Sequence, residues 1–395
     1  MAITDENTVL ILGAGSSVPF WMPLGGELMK NIKDQIDFER SHILNQKSNF
    51  IETIVNVDTE ILTYPIHSAL YKRFKNGGGD YFIQISLLAS LAELLNKQTS
   101  ETIDDFIVEN PSFSELTKIC IASIFMKKLY NPESGKIFHA GLGLNYQTYL
   151  LKSLAERNLR QKNNRKERNW VHLLINIVRQ GIRQNSVTKQ NKIRVISFNY
   201  DLILENILDD QFSNTENMEG KDWRDYFEIL HPHGKCEPLS DEIDVATDLI
   251  NEWADGIYVI QESEDEIPDA IKEDRLRAKE IISNAREIYA TGFSFAGPNC
   301  RLLGLSESKA HKSIKKGGFN RKIYFCNWDG NLGLELSANK YIYKSAEETK
   351  VISPGVGKAF KTTGATEVIP QTGTPEKPLG VSDWIKTGVL GEMPG

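Results

Sequence analysis

After a short polar leader, the chain enters a five-residue apolar run that leads directly into two closely spaced glycines. Residues 8–12 read TVLIL and residues 13–17 read GAGSS. A continuous apolar run of this length is typical of a buried strand in a parallel sheet, and glycines allow a tight turn where the strand ends. Because a sheet buried on both faces needs helices on both sides, this pattern predicts an α/β fold.

Four later segments have a similar form, a short apolar run that ends in a polar or glycine-containing loop. They are 193–198 (IRVISF) before Asn199-Tyr200-Asp201, 229–233 (ILHPH) before Gly234, 287–291 (EIYAT) before GFSF at 292–295, and 322–326 (KIYFC) before NWD at 327–329. In an open α/β sheet, ligands lie beyond the carboxyl ends of the strands. We therefore expect these four loops to line one pocket.

The remaining segments predict the domain organisation. Long apolar-periodic stretches such as 81–95 and 170–182 indicate helices between the first strand and the others. The last 43 residues contain 8 of the 29 glycines and no helical periodicity. The sequence thus predicts a Rossmann-like parallel sheet built from residues 1–40 and 190–345, a helical insertion at 41–189, and an extended C-terminal arm at 346–395.

Composition excludes several classes of protein. The chain is 40% hydrophobic and 25% charged, which is ordinary for a folded globular protein. No apolar run approaches the roughly 18 residues of a membrane span, and the first residues carry Asp5 and Glu6 where a signal peptide is basic. We therefore expect a cytoplasmic protein with no membrane association. The cysteines lie too far apart in sequence for a zinc module or a CxxC motif, so we expect free thiols: Cys120, Cys236, Cys300 and Cys326.

Charge is strongly segregated along the chain. Residues 237–274 contain 14 acidic side chains and one basic one, whereas residues 152–194 contain 12 basic and two acidic ones. Such runs are either solvated helical faces or complementary surfaces for a second subunit or a partner. Nucleic-acid binding by the basic segment is a further alternative, but Trp170 is the only Phe, Tyr or Trp residue in that segment.

Each candidate site residue also has a simpler structural interpretation. The glycines at 13 and 15 suit a phosphate-binding turn, but Val18 stands where the dinucleotide fingerprint needs a third small residue. Asn199 and Asp201 suit a turn and a helix cap as well as a pocket. His233 precedes a glycine at a strand end, where an imidazole can exchange a proton with a ligand. A metal site formed by His231, His233 and Cys236 is a further alternative, but no other cysteine or paired ligand motif in the sequence completes the set.

Taken in order, five motifs resemble the sirtuin (silent information regulator) family: GAGSS at 13–17, FNYD at 198–201, HPHGK at 231–235, GFSF at 292–295 and CNWD at 326–329. The resemblance covers about residues 8–35 and 190–340. It implies an NAD pocket in which Asn199 and Asp201 bracket the nicotinamide ribose and His233 handles the proton. It further implies a set of backbone and side-chain contacts to the rest of the dinucleotide, with Gly13, Ala14, Gly15 and Ser16 at the phosphates and Gly292, Ser294 and Asn327 at the adenosine side.

Departures from that family narrow the expectation. The four-cysteine zinc module of protein-deacylating sirtuins is absent, and Phe198 stands where deacylases usually carry glutamine. The chain is more similar to the zinc-less sirtuin-like effectors of prokaryotic antiviral defence, which hydrolyse NAD to nicotinamide and ADP-ribose. That resemblance implies NAD as substrate, no zinc, a homo-oligomer, and activation by a partner such as a HerA-type ATPase. A catalytically silent sensor of NAD or ADP-ribose is the alternative, and NAD-dependent deacylation is disfavoured.

Overall fold

The computed structural model describes residues 7–20, 22–43, 63–74, 79–97, 100, 102–129, 170–213, 221–236, 246–259, 267–305, 321–327 and 366–372. Within these residues, helices pack on both faces of one parallel sheet. The α/β, Rossmann-like prediction is confirmed.

The sheet has six strands, all parallel. They are β1 (Thr8–Leu12), β2 (Ile193–Ser197), β3 (Phe227–Leu230), β4 (Glu287–Thr291), β5 (Arg321–Asn327) and β6 (Thr366–Thr372). Their order across the sheet is β3-β2-β1-β4-β5-β6, in which Leu10 of β1 lies opposite Val195 on one side and Tyr289 on the other. This is the strand order of the Rossmann fold, and it changes direction between β1 and β4, where such sheets bind dinucleotides.

Ten α-helices lie in the described residues. They are α1 (Gly25–Ile43), α2 (Pro65–Phe74), α3 (Gly79–Lys97), α4 (Ile103–Glu109), α5 (Ser114–Leu129), α6 (Trp170–Arg183), α7 (Ile203–Ser213), α8 (Ala246–Asp255), α9 (Asp269–Asn284) and α10 (Gly297–Leu302). The helical periodicity at 81–95 and 170–182 falls within α3 and α6. None of the helices in the described part of the chain is long and apolar enough to cross a membrane.

Alternate residues of β1 enter two hydrophobic cores, as the two-residue period of a strand requires. Leu10 and Leu12 join the larger core, to which helices α1 to α8 contribute. Val9 and Ile11 join the smaller core on the opposite face, which α9 and α10 cover. All four side chains are at most 2% exposed, so β1 is the central strand that its sequence predicts.

The structure differs from the sequence expectations in two places. Strand β3 ends at Leu230, not at residue 233, because the Gly234 amide donates to the His231 carbonyl at 2.9 Å and closes a turn around Pro232. Strand β6 lies in the predicted arm and adds an edge strand to β5. An edge tolerates Pro370, which has no amide hydrogen to donate. Two short 3-10 turns, Ala14–Ser16 and Val18–Phe20, separate β1 from α1.

Some charged side chains of the two segments pair within the chain. In the basic segment, Lys189 Nζ lies 2.7 Å from Asp225 Oδ2. In the acidic segment, Asp255 Oδ1 of α8 lies 2.7 Å from Arg73 Nη2 of α2. Residues 152–169, 237–245 and 260–266 lie outside the described residues, so the expectation of complementary surfaces stays a prediction.

Candidate functional site

The parallel order brings the loops after β1, β2, β3 and β4 to one edge of the sheet. These loops are residues 13–17, 198–201, 231–234 and 292–295. The first and last of them flank the point where the strand order changes direction. Most of the candidate residues from the sequence therefore lie at the edge where a parallel sheet receives a ligand.

The loops after β1 and β4 interlock through their glycines. The Gly13 amide donates to the Thr291 carbonyl at 3.0 Å, and the Gly15 amide donates to the Gly292 carbonyl at 3.1 Å. A Cβ on Gly13 would lie 2.4 Å from the Gly292 oxygen, so only glycine permits this approach. Gly292 itself has φ +62°, in the left-handed region that favours glycine.

The same contacts qualify the expected phosphate site. The amides of Gly15 and Ser16 donate to the carbonyls of Gly292 and Gly13. The Trp170 indole, from α6, donates to the Ser16 carbonyl at 2.8 Å and holds this loop from behind. A phosphate bound by these amides would compete with hydrogen bonds that the loop already makes, whereas Ala14 is exposed.

Asn199 is buried and its side-chain amide is fixed in orientation. Its Nδ2 donates to Ser16 Oγ at 3.0 Å and to Ser17 Oγ at 2.9 Å. Both amide hydrogens are thereby used, and the Oδ1 atom has no hydrogen-bond partner among the described residues. A buried acceptor without a partner costs about 1–3 kcal/mol, so Oδ1 is a candidate contact for a ligand.

Asp201 lies behind Asn199 and is connected to it through Ser17. Its carboxylate accepts a hydrogen bond from the Ile203 amide at 3.2 Å, at the start of α7, and another from the Ser17 hydroxyl. Burial raises the pKa of this carboxyl group to about 6, although both hydrogen bonds act to lower it. Asp201 therefore supports the serine that orients Asn199.

His231 does not face the same partners as His233. Its Nε2 lies 2.6 Å from Glu205 Oε1, and its Nδ1 lies 3.3 Å from the Asn199 carbonyl oxygen. Burial alone would lower the pKa of His231, but the Glu205 carboxylate reverses this and raises it. Both neighbouring groups, the Asn199 carbonyl and the Glu205 carboxylate, accept hydrogen bonds, which favours the imidazolium form of the His231 ring. The ring thereby fixes the backbone at Asn199.

His233 is 1% exposed, and neither ring nitrogen has a hydrogen-bond partner of good geometry among the described residues. Its ring packs edge-on against Phe198 at 5.0 Å between centroids. Burial lowers the pKa of His233, and Arg275 lowers it further, whereas the Asp104 carboxylate opposes both. The imidazole is therefore neutral at neutral pH and has a lone pair for a proton.

Two expected adenosine contacts stand apart from this cluster. Ser294 is exposed between the buried rings of Phe293 and Phe295. Asn327 is the last residue of β5, and its side chain lies outside the described residues. The structure thus gathers the glycine loop, Asn199, Asp201, His233 and Gly292, and leaves Ser294 at the rim.

Sequence analysis missed several contributors to the site. A crevice between α4 and α10 includes Asp104 and Asn299, which both influence the His233 ring. Asp104 belongs to the predicted insertion and is 129 positions from His233 in sequence. No local pattern could have placed it there, since the contact depends on tertiary packing. Ser17 is within the GAGSS motif, but its role depends on the position of Asn199.

Neither a search for metal ligands among the described residues nor a comparison with known proteins identifies a ligand for this site. In the residues that the structure describes, no group of three or more His, Cys, Asp and Glu side chains is placed to hold a metal ion. No model of a known protein family matches the chain, and no curated protein matches it.

Proposed function

We propose that this protein is an NAD glycohydrolase, which cleaves NAD to nicotinamide and ADP-ribose. The observation that carries the proposal is a pair of buried side chains: Asn199, whose Oδ1 has no hydrogen-bond partner among the described residues, and His233, whose two ring nitrogens have none there either. They follow the adjacent strands β2 and β3, which lie on the β1 side of the point where the strand order changes direction. Unpaired buried polar groups of this kind are expected at sites that complete their hydrogen bonds with a ligand.

In this proposal, NAD lies across the carboxyl ends of β1 and β4, as dinucleotides do in sheets of this order. The loop of Gly13, Ala14, Gly15 and Ser16 would contact the phosphates of NAD, and within this loop Ala14 is exposed. Gly292, Ser294 and Asn327 would line the adenosine side. The nicotinamide ribose would then lie near Asn199 and His233.

The proposed reaction is a displacement by water at C1′ of the nicotinamide ribose. The oxygen of water bonds to C1′ while the bond from C1′ to the pyridinium nitrogen breaks. The bonding electron pair stays on that nitrogen, so nicotinamide leaves as a neutral molecule. The proton lost by the water passes to the imidazole of His233, and ADP-ribose remains.

The environments of the two side chains suit these roles. The hydrogen bonds of Asn199 Nδ2 to two serines leave Oδ1 directed away from them, available to a water or a ribose hydroxyl. The negative end of this amide dipole favours the positive charge that develops at C1′. Burial keeps His233 neutral, which is the form that a general base requires.

The resemblance extends the proposal to a biological role. Depletion of NAD in the cytoplasm of a phage-infected cell would halt phage growth, and the zinc-less sirtuin-like effectors act in this way. By the same analogy the chain would be a homo-oligomer that is silent until a partner, such as a HerA-type ATPase, activates it. No zinc enters this reaction.

Chromatography of the products tests the proposal. The purified chain is incubated with NAD, alone and in lysate from phage-infected cells, beside Asn199→Ala. We expect nicotinamide and ADP-ribose in equal amounts from the wild type and neither from the variant. Bound NAD without nicotinamide release under every condition would replace the proposal with the sensor function.

A further inference from the structure

The start of α4 brings a carboxylate to the buried imidazole of His233. Thr102 caps this helix, since its Oγ1 accepts a hydrogen bond from the Asp105 amide at 3.1 Å. Asp104 lies in the same turn, and its Oδ2 is 3.8 Å from His233 Nδ1. Its other oxygen accepts a hydrogen bond from the Tyr200 hydroxyl, which holds the carboxylate beside the ring.

The other groups around His233 differ from Asp104 in charge or polarity. Phe198 and Tyr200 present ring surfaces, at 5.0 Å and 6.0 Å between centroids. Arg275 of α9 is cationic, and two backbone carbonyls, of Pro232 and Val259, hold its guanidinium at 2.8 and 3.1 Å. Asn299 is neutral. Among the described groups that act on the ring, Asp104 is therefore the one negative charge.

We infer that Asp104, contributed by the helical insertion, is the positioning residue for His233 in the proposed NAD cleavage. The Asp104 carboxylate pairs with His233 Nδ1 and thereby favours the imidazole tautomer that is protonated at Nδ1. The lone pair on Nε2 is then the one that accepts the proton of water. Once that proton has been transferred, the buried imidazolium has a carboxylate beside it. This inference rests on the proposed function.

The geometry requires only a small adjustment. A charge-assisted N–H···O bond spans about 2.7–2.9 Å, so the 3.8 Å separation must shorten by about 1 Å. The Asp104 side chain is 26% exposed. Hydrogen bonds between catalytic groups are often long before the substrate is in place and tighten in the complex.

The test substitutes neighbouring carboxylates on one helical turn. Asp104→Asn keeps an acceptor for Tyr200 but removes the charge beside His233. Asp105→Asn is the matched control, because its carboxylate bonds Thr102. We expect Asp104→Asn to lower kcat for nicotinamide release by about 10-fold or more, with KM nearly unchanged. Asp105→Asn should stay within about twofold of the wild type, and Asp104→Glu should restore part of kcat.

The pH profile separates a positioning role from a structural one. Cleavage requires the neutral imidazole of His233, so the rate should rise as the pH passes the pKa of His233. Loss of the neighbouring carboxylate should move this rise to lower pH by about one unit in Asp104→Asn. An unchanged profile with unchanged kcat would overturn the inference.

A second measurement does not depend on turnover. NMR titration of protein that carries isotope-labelled histidine reports the tautomer and the pKa of His233 directly. The His233 signal is assigned by its absence from the spectrum of His233→Ala. We expect a proton on Nδ1 in the wild type and a lower pKa in Asp104→Asn, with no change in Asp105→Asn. If this shift appears while the wild type releases no nicotinamide, the proposed function fails and the pairing stands. If the wild type cleaves NAD and no shift appears, the pairing fails alone.

Discussion

Replacing Gly292 with alanine introduces one methyl group at the contact between the loops after β1 and β4. The new Cβ would lie 2.1 Å from the Ser16 amide nitrogen, where real Cβ contacts stay above 3.0 Å. The two loops must therefore separate by about 1 Å, since a backbone atom cannot rotate away as a side chain does. The position also has φ +62°, which disfavours alanine.

The expected loss of stability follows from these two effects. A left-handed conformation costs a non-glycine residue about 1–2 kcal/mol. Separation of the loops also weakens the hydrogen bond from Gly15 to Gly292, which contributes about 1 kcal/mol. We expect the free energy of unfolding of Gly292→Ala to fall by about 2–3 kcal/mol, as measured by urea denaturation followed by circular dichroism.

Gly26→Ala is the matched control. Gly26 lies in the first turn of α1, and a Cβ there would meet nothing within 4 Å. Alanine has the higher helix propensity, so this variant should equal the wild type or exceed it by up to about 1 kcal/mol. Equal unfolding midpoints for Gly292→Ala and the wild type would refute the interlocked arrangement of the two loops.

Three further predictions concern buried polar groups. Glu39→Ala should lower the free energy of unfolding by about 3–5 kcal/mol, because this fully buried carboxylate accepts hydrogen bonds from the amides of Ile66 and His67 and contacts the His67 ring. Glu93→Ala, which removes the exposed partner of Lys97, should leave the urea midpoint unchanged. The pKa of Asp201 is about 6 in the folded state and 3.8 ordinarily, so the wild type loses stability as the pH rises through this range, whereas Asp201→Asn does not. The variant should therefore gain about 2 kcal/mol of stability relative to the wild type between pH 4 and pH 7; parallel curves of stability against pH would contradict this. Trp170→Phe should lower the free energy of unfolding, measured by urea denaturation, by about 1–3 kcal/mol, because the Ser16 carbonyl loses its hydrogen-bond donor. An unchanged urea midpoint would argue against that hydrogen bond.

Local sequence patterns were sufficient to predict most of the sheet. The run at 8–12 and the segments at 193–198, 287–291 and 322–326 coincide with β1, β2, β4 and β5 to within one residue at each end. Buried parallel strands have few polar residues, so their limits are visible in sequence. Strand β6 was missed because Pro370 and the surrounding glycines are typical of irregular chain, and its place at the edge of the sheet is a tertiary outcome.

The site was predictable only where its residues follow strands. Asn199 and His233 lie within three residues of the ends of β2 and β3, so the parallel order alone brings them to one edge. The partners that orient them come from distant segments: Ser17 from the glycine loop, Asp104 from α4 and Glu205 from α7. These contacts depend on how the helices pack on the sheet, which no short motif encodes.

In the proposed reaction, Asn199 and His233 together cleave the bond between nicotinamide and ribose. The most direct test measures nicotinamide released from NAD by the wild type, Asn199→Ala and His233→Ala, alone and in lysate from phage-infected cells. His42→Ala, which removes an exposed imidazole on α1, is the control. We expect release by the wild type and the control, and a loss of at least about 100-fold in the two site variants with their thermal unfolding little changed. Release by either site variant at the rate of the wild type, or no release by the wild type in any condition, would contradict this proposal.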